Sequence, residues 1–511
     1  MQSEIARFSS NLEIWILSTF GGVELKILFA SSEVVPFAKT GGLADVSGVL
    51  PRAIKAQGHD VRVVMPKYKV VDKEKFGLRI IPKSLAIPVG EDIAIVSILE
   101  GELEKGLPVY FIDYEPYFER EELYGTPQGA YEDNAERFIL FSRALLETVK
   151  AIGFQPDVIH CNDWQTGLIP VYLKTLYKND PLFQRTGTVL TIHNIAYQGT
   201  FPKKALNLAG LGEGEFTPEK LEFHGQVSFL KGGLVYADVL NTVSVTYSKE
   251  IQSSPEFGYG LEGILAHRSQ DLYGILNGVD YDEWNPAKDE FIAVNYTIGE
   301  IDKKMECKRA LLKENNLPVN LNRPLVGIVS RLARQKGLDI IGEAIDEIMD
   351  LDLYFILLGT GEQEYHRLFS RIGKKYSRKA AIHITFDNGL AHRIYAGCDL
   401  FLMPSRYEPC GLGQLISLAY GTASVVNPTG GLADTIKEFE PETGKGNGFL
   451  LSEYSATALV NALKRAITVY GQKEAWKRLV NNMMEADFSW ATSTKEYLKL
   501  YQKAVDKRAR N

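Results

Sequence analysis

Short apolar runs alternate with helix-forming stretches along this chain, and this alternation restricts the fold more than any other feature of the sequence. The run KILFASSE (26–33) leads through the glycine-rich loop KTGGLADV (39–46) and a helical stretch into a second apolar run, DVRVVMP (60–66). Strands that alternate with helices form parallel sheets, because each helix returns the chain to the same end of the sheet. The chain therefore begins with a doubly wound α/β domain.

The same alternation occurs in two series. The first series continues with runs at 108–113, 157–161, 188–194 and 239–244, and the second consists of runs at 324–330, 353–359, 381–386, 399–404 and 423–428. These runs are almost continuously apolar, which is typical of parallel strands that are covered on both faces. A chain of 511 residues is long enough for two such domains.

The polar segment GVDYDEWNPAKDE (278–290) separates the two series and is the predicted hinge region. We therefore predict four segments, which are a disordered N-terminal extension at 1–24, a Rossmann-like N-terminal domain at 25–278, a Rossmann-like C-terminal domain at 279–487, and a closing helix at 488–511. The closing helix is inferred from the amphipathic pattern of its residues.

The hexapeptide TGGLAD occurs once in each half, at Thr40–Asp45 and at Thr429–Asp434, each time before a helical run. The N–H groups at a helix N-terminus bind phosphate and other anions. A single glycine pair is more often just a turn, but the same loop in both domains predicts two sets of N–H groups that face a common ligand. The expected fold class is therefore α/β, with two Rossmann-like domains that face each other across a cleft.

Charged side chains beside the predicted strand ends favour an anionic ligand. Lys39 precedes the first loop, where its ammonium group would meet a diphosphate, although a solvated surface lysine is the alternative. Arg331 and Lys336 precede a helical run, where positive charge opposes the helix dipole, so a ligand explains them better than a basic helix start. Glu408 would accept hydrogen bonds from sugar hydroxyls, or would stabilise the first turn of its helix. The neighbouring Cys410 is interpreted as a packing residue of the site and not as a nucleophile.

Polar and aromatic side chains at strand ends in the first half are candidates for sugar binding. They are His193, Asn194, Asp163, Trp164, Tyr131, Asp133, Asn134 and Tyr197. Ligands of open α/β sheets bind at the carboxyl ends of the strands, and an indole ring offers an apolar face to a pyranose. Core packing or a helix start remains the alternative for each of them.

Composition excludes several classes of partner. The net charge of -7 offers no basic field for nucleic acid, and no apolar stretch approaches the length of a membrane span. Four cysteines lie far apart without a CxxC pair, which indicates a reducing compartment and no thiolate metal site. We expect a cytoplasmic protein without a metal or other cofactor; a plastid location would require that residues 1–24 act as a transit peptide.

Seven motifs together resemble the bacterial glycogen synthase and plant starch synthase family. In order they are KTGGLADV, HCNDWQTGLIPVYL, TIHNIAYQGTF, GILNGVDYDEWNP, SRLARQKGLD, PSRYEPCGLGQL and PTGGLAD. The resemblance extends from residue 26 to about residue 505. It implies the GT-B fold, ADP-glucose as the donor, and transfer of glucose to the nonreducing end of an α-1,4-glucan with retention of the anomeric configuration.

The resemblance also implies roles for individual residues. Lys39 corresponds to a donor-binding lysine, Arg331 and Lys336 to a diphosphate-stabilising pair, Glu408 to a contact of the donor glucose, and His193 to the histidine beside the anomeric carbon. The predicted catalytic residues are His193, Glu408, Arg331 and Lys336; the donor-binding residues are Lys39, Gly41, Gly42, Asn194, Cys410, Gly411, Thr429, Gly430 and Gly431; and the acceptor- or sugar-binding residues are Asp45, Tyr131, Asp163, Trp164 and Tyr197.

The chain departs from the family pattern near the predicted site. Asn427-Pro428 replaces a segment that usually contains an arginine, Gly413 replaces a threonine, and Ala419 replaces a basic residue. The loss of positive charge would alter nucleotide preference or rate. Two alternatives therefore remain, which are a GT-B glycosyltransferase that uses UDP-glucose or another acceptor, and a non-catalytic glucan-binding relative.

Overall fold

The computed structural model describes residues 24–126 and 128–510. The predicted disordered extension lies outside these residues except for Glu24. The described chain forms two α/β domains, each built on its own sheet, with a cleft between them.

Nine strands form the main sheet of the first domain, and five short strands form two small sheets beside it. The strands of this domain are β1 (Lys26–Ala30), β2 (Asp60–Pro66), β3 (Arg79–Val89), β4 (Asp92–Glu104), β5 (Leu107–Asp113), β6 (Gly125–Thr126), β7 (Gly129–Ala130), β8 (Val158–Asn162), β9 (Gly187–Ile192), β10 (Thr200–Pro202), β11 (Glu222–Phe223), β12 (Gln226–Ser228), β13 (Val239–Thr242) and β14 (Leu272–Gly274). The main sheet has the order β14-β13-β9-β8-β1-β2-β5-β4-β3.

Seven neighbouring strands of this sheet, from β14 to β5, are parallel, and β4 and β3 add an antiparallel edge. The parallel strands coincide with the apolar runs of the sequence. The edge hairpin was not predicted, because half of its outer strand is exposed and its residues form no continuous apolar run.

The second domain contains an entirely parallel six-stranded sheet. Its strands are β15 (Leu325–Val329), β16 (Tyr354–Leu358), β17 (Ala380–His383), β18 (Leu400–Met403), β19 (Ala423–Val426) and β20 (Gly448–Leu450). Their order is β17-β16-β15-β18-β19-β20. Separate apolar clusters cover its two faces, which explains why these strands are apolar on both sides.

Helices cover both sheets. They are α1 (Gly42–Lys55), α2 (Glu115–Phe118), α3 (Asn134–Ala151), α4 (Leu168–Lys174), α5 (Lys204–Leu208), α6 (Phe229–Tyr236), α7 (Val245–Glu250), α8 (Pro255–Gly258), α9 (Glu262–His267), α10 (Lys304–Glu314), α11 (Leu338–Asp350), α12 (Gln363–Lys375), α13 (Asn388–Gly397), α14 (Gly413–Ala419), α15 (Gly430–Thr435), α16 (Ala456–Tyr470), α17 (Lys473–Met484) and α18 (Trp490–Arg510). None of the helices in the described part of the chain has the length and apolar character that crossing a bilayer requires.

The chain crosses between the domains twice, and the two crossings lie side by side. The N–H of Val279 donates to the carbonyl of Phe488 at 2.7 Å. After the second crossing, α18 returns to the first domain, where Tyr497 and Tyr501 enter the core and the Tyr501 hydroxyl lies 2.8 Å from Nδ1 of the buried His160. The last helix therefore completes the core of the first domain.

Candidate active site

A cleft of about 950 Å³ lies between the domains at the carboxyl ends of their central strands. A volume of this size suits a ligand as large as a nucleotide sugar. The predicted residues that line it are Lys39, Gly41, Gly42, Asp45, Asn134, Asp163, Trp164, His193, Asn194, Tyr197, Arg331, Lys336, Glu408, Cys410 and Gly411. Thus most of the predicted site residues meet in one place, and they come from both domains.

Arg331 and Lys336 lie on the same side of the cleft but have different partners. Nζ of Lys336 is 2.6 Å from Oε2 of Glu408, and both side chains are mostly buried. Arg331 is exposed and its Nη1 lies 3.4 Å from the hydroxyl of Tyr197 in the other domain. An anion in the cleft would therefore meet an accessible guanidinium group and would compete with Glu408 for the ammonium group.

The Lys336 loop depends on the glycine that follows it. Gly337 has a φ of +71°, and a Cβ atom built there would lie 1.9 Å from the carbonyl oxygen of Pro404. Only glycine combines this backbone conformation with such a close approach. The contact brings the loop after β15 against the end of β18, so that Lys336 reaches Glu408.

The first TGGLAD loop borders the cleft, but a carboxylate of the protein already binds part of it. The buried Glu33 accepts hydrogen bonds from the N–H of Thr40, from the Thr40 hydroxyl at 2.7 Å and from the N–H of Gly41 at 3.2 Å. Lys39 pairs with Asp45 at 2.6 Å. The loop therefore presents Lys39 and open space above its glycines to the cleft, while two of its predicted anion-binding N–H groups are occupied.

The position of the second TGGLAD loop differs from the sequence prediction more than that of the first loop does. Thr429, Gly430 and Gly431 are not among the residues that line the cleft. The Thr429 hydroxyl and the N–H of Gly430 each donate to Oε1 of Glu250 at 3.0 Å, and Glu250 belongs to the first domain. The predicted pair of loops that face one ligand is therefore replaced by one loop at the cleft and one loop behind it.

The two glycines of the second loop support the Glu408 segment. The N–H of Gly431 donates to the carbonyl oxygen of Glu408 at 3.1 Å. A Cβ atom at Gly430 would lie 2.0 Å from that oxygen, and one at Gly431 would lie 2.0 Å from the carbonyl oxygen of Cys410. The absence of side chains at both positions allows this close packing.

The Cys410 side chain is buried, and burial raises the pKa of its thiol to about 12. It is therefore protonated at neutral pH, as expected of a packing residue. The adjacent Gly411 and Leu412 precede α14, and their N–H groups donate to no other residue of the described chain. Both residues line the cleft, so these N–H groups are candidate donors to an anion or a sugar oxygen.

His193 is held as a neutral imidazole. Its Nε2 lies 2.9 Å from Oδ1 of Asn162, whose amide group donates to the carbonyl of Ala30 at 3.0 Å. Because that amide orientation makes Oδ1 the acceptor, Nε2 carries the proton and Nδ1 keeps a lone pair. Burial lowers the pKa of His193 to about 3. The ring is therefore uncharged at neutral pH, where it forms hydrogen bonds but does not act as a general acid.

Asp163 positions the His193 turn. Its Oδ1 accepts a hydrogen bond from the N–H of His193 at 2.7 Å, and its backbone has the unusual φ and ψ of 55° and -170°. Such conformations are costly for residues other than glycine and concentrate at functional sites. Burial raises the pKa of Asp163 to about 7, against the opposing effect of the hydrogen bonds from His193 and Asn194. The adjacent Trp164 packs edge-on against Phe138 at 4.8 Å.

The raised pKa of Asp163 predicts a specific pH dependence of stability. Between the ordinary value of 3.8 and about 7, the folded chain keeps the proton that the unfolded chain loses. The free energy of unfolding therefore falls as pH rises through this range. Asp163→Asn removes the titration, so the variant should gain stability relative to wild type between pH 5 and pH 8 in chemical unfolding experiments. If the free energies of unfolding of Asp163→Asn and wild type differed by the same amount at pH 5 and pH 8, the prediction would be contradicted. Asp302→Asn, which changes an exposed carboxylate, is the control.

The structure places Tyr131 away from the cleft lining. Its hydroxyl donates to the carbonyl of Glu122 at 3.2 Å, and its ring lies under the guanidinium groups of Arg120 and Arg137 at 4.7 and 5.0 Å. These contacts use the groups that were predicted to bind sugar. Tyr131 therefore braces the loop before α3.

Glu33 and Asn277 are among the cleft residues that were not identified from the sequence. Glu33 lies seven residues before Thr40, where the first TGGLAD loop begins, and gives no local signal of its role. Asn277 lies in the motif GILNGVDYDEWNP and is only 6% exposed; its Oδ1 has no hydrogen-bond partner in the described part of the chain. An unsatisfied amide oxygen in the cleft wall is a candidate acceptor for a ligand hydroxyl.

Comparisons with known families and proteins agree with this arrangement. Residues 26–267 match the family described as starch synthase catalytic domain, and residues 312–483 match glycosyl transferases group 1. The glycogen synthase of Desulforudis audaxviator is 50% identical over 94% of this chain and 97% of its own length. The glycogen synthase of Moorella thermoacetica is 50% identical over 95% of this chain and 98% of its own length.

Solved structures give the same result for the fold. The catalytic domain of starch synthase IV from Arabidopsis thaliana, bound to ADP and acarbose, has a TM-score of 0.88 and 34% identity, and the match covers 95% of this chain and all of that one. Sucrose-phosphate synthase from Thermosynechococcus elongatus shares the fold at a TM-score of 0.58, with 16% identity over 94% and 98% of the two chains. The predicted GT-B fold is therefore confirmed.

Proposed function

Because the chain belongs to the glycogen and starch synthase family of glucosyltransferases, we propose that it transfers glucose from ADP-glucose to the nonreducing end of an α-1,4-glucan, with retention of the anomeric configuration. The relative bound to ADP and acarbose supports a nucleotide donor and a glucan acceptor. The choice of ADP-glucose over UDP-glucose is part of the proposal.

The observation that carries the proposal is the position of Arg331 and Lys336 opposite the His193 turn in one cleft. Bond cleavage leaves negative charge on the departing diphosphate. Preorganised cations beside that charge stabilise the transition state more than the ground state. Arg331 is accessible for this role, and Lys336 becomes available when the anion replaces Glu408 as its partner.

The same arrangement gives Glu408 and His193 roles toward the sugar. A Glu408 carboxylate that is released from Lys336 accepts hydrogen bonds from donor hydroxyls, and the Nδ1 lone pair of His193 accepts another. The oxygen of the glucan 4-hydroxyl group bonds to the anomeric carbon while the bond between that carbon and the diphosphate oxygen breaks. The proton of the 4-hydroxyl group passes to the departing diphosphate oxygen. Closure of the cleft keeps water from taking the place of the glucan.

Initial rates on purified protein with glycogen as primer test the donor. We expect transfer from ADP-glucose to be at least tenfold faster than from UDP-glucose. Equal rates, or a faster reaction with UDP-glucose, would overturn the donor assignment. Glycogen binding without release of either nucleoside diphosphate would overturn catalysis itself and favour a glucan-binding relative.

We also propose that the protein works in a reducing compartment such as the cytoplasm. The cysteines at 161, 307, 398 and 410 are all buried and none forms a disulfide. Stable unpaired thiols suit an intracellular redox environment.

A further inference from the structure

Asp434, the last residue of the second TGGLAD loop, reaches across the domain boundary to the start of α7. Its Oδ2 accepts hydrogen bonds from the N–H groups of Val245 at 2.7 Å and Thr246 at 3.1 Å. Its Oδ1 accepts one from the Thr246 hydroxyl at 2.5 Å. The first N–H groups of a helix have no partner within the helix, so a residue of the second domain caps a helix of the first.

Glu250, at the end of the same helix α7, makes the reverse contact. Its carboxylate accepts hydrogen bonds from the Thr429 hydroxyl and from the N–H of Gly430, which begin α15 in the second domain. Thr429 itself provides no side-chain cap for this helix. Each domain therefore supplies a carboxylate to a helix start of the other, and these hydrogen bonds require the relative orientation of the domains seen here.

The Glu250 contact also extends to the Glu408 segment. Gly430 and Gly431 lie directly against the backbone of Glu408 and Cys410, and the N–H of Gly431 bonds to the Glu408 carbonyl. A carboxylate of the first domain thereby fixes the turn on which Glu408 rests. The partners of Asp434 are Val245 and Thr246 of α7, which do not line the cleft.

We propose that Asp434 and Glu250 form an interdomain latch that holds the cleft in the arrangement required for transfer, and that Glu250 additionally positions Glu408. Loss of the latch raises the population of molecules whose domains have separated. The apparent affinity for a ligand that binds between the domains then falls in proportion to the fraction that stays closed. The kinetic consequences rest on the proposed function, whereas the change in shape does not.

Steady-state kinetics separate the two residues. Asp434→Ala should raise KM for ADP-glucose about tenfold and leave kcat within about twofold, because saturating donor restores closure. Glu250→Ala should raise KM similarly and also lower kcat about tenfold, because the Glu408 turn loses its support. Asp434→Asn keeps an acceptor for the α7 N–H groups and should recover most of the affinity. Unchanged KM in both alanine variants would overturn the latch, and unchanged kcat in Glu250→Ala would overturn the positioning role.

Small-angle X-ray scattering tests closure without turnover. The radius of gyration of ligand-free Asp434→Ala should exceed that of wild type and return toward it on addition of ADP. Glu256→Ala, which removes an exposed carboxylate in the neighbouring α8, is the matched control and should behave as wild type. Identical scattering of Asp434→Ala and wild type would overturn the latch whatever the donor proves to be. If Asp434→Ala does not fold, Thr246→Val removes one hydrogen bond of the same contact and should show the same changes at smaller size.

Discussion

Replacement of Lys336 by alanine is expected to lower kcat about a hundredfold. The ammonium group of Lys336 lies 2.6 Å from Glu408 and lines the same cleft as Lys39 and the accessible Arg331, so its loss removes one of three cations from the cleft in which diphosphate charge would develop. Loss of one preorganised electrostatic group typically lowers kcat by about 10² to 10³. The substitution also leaves the buried Glu408 without its cationic partner.

Kinetic and stability measurements on the same variant separate these effects. Initial rates at saturating ADP-glucose and glycogen give kcat, and thermal unfolding reports the cost of the unpaired carboxylate. Lys288→Ala is the matched control, because Lys288 pairs with the exposed Asp282 outside the cleft and should not affect the rate. A Lys336→Ala enzyme with a kcat within threefold of wild type would remove this residue from the mechanism.

Replacement of Gly337 by alanine should abolish most activity although the side chain touches no substrate. The new Cβ would lie 1.9 Å from the Pro404 carbonyl oxygen at a φ of +71°. A backbone contact this short forces the loop to move, and the movement withdraws Lys336 from Glu408. We expect kcat to fall at least as far as in Lys336→Ala, because a misplacement of about 1 Å costs about 10²-fold in rate.

Thermal unfolding of this variant should show a lower midpoint as well, since the strain acts on the folded chain. Gly263→Ala provides the control, because Gly263 lies within α9 and a Cβ atom there meets nothing within 4 Å. Alanine is favoured over glycine in a helix, so this variant should be at least as stable as wild type. Full activity of Gly337→Ala would show that the loop tolerates the displacement.

Local sequence patterns predicted the parallel strands and the two-domain division because these patterns repeat over short distances. The apolar run at 353–359 became β16, which is buried throughout. The sequence pattern did not predict the edge hairpin of β3 and β4, because a largely exposed strand needs no continuous apolar run. For α18, amphipathicity predicted a closing helix, but the core that its apolar face joins was decided by packing against β9 and α1.

Most candidate site residues were also recognisable, because motifs at strand ends meet wherever parallel strands share an edge. The second TGGLAD loop shows where such reasoning fails. Its sequence equals that of the first loop, yet Gly430 donates to Glu250, a residue 180 positions away, and not toward the cleft. The sequence of a motif determines which hydrogen-bond donors and acceptors its loop offers. Which partner it receives depends on the docking of the domains.

Residue types, their spacing and the strand–helix alternation were therefore sufficient for the fold class and for most of the side chains that line the cleft. The pairing of Lys336 with Glu408, the strained Asp163 and the capping of α7 by Asp434 arose only in the folded chain. The pairing and the capping join residues that are far apart along the chain, so no local pattern predicts them, and the conformation of Asp163 is held by the structure around it. Such interactions belong to the assembled structure and to no single stretch of sequence.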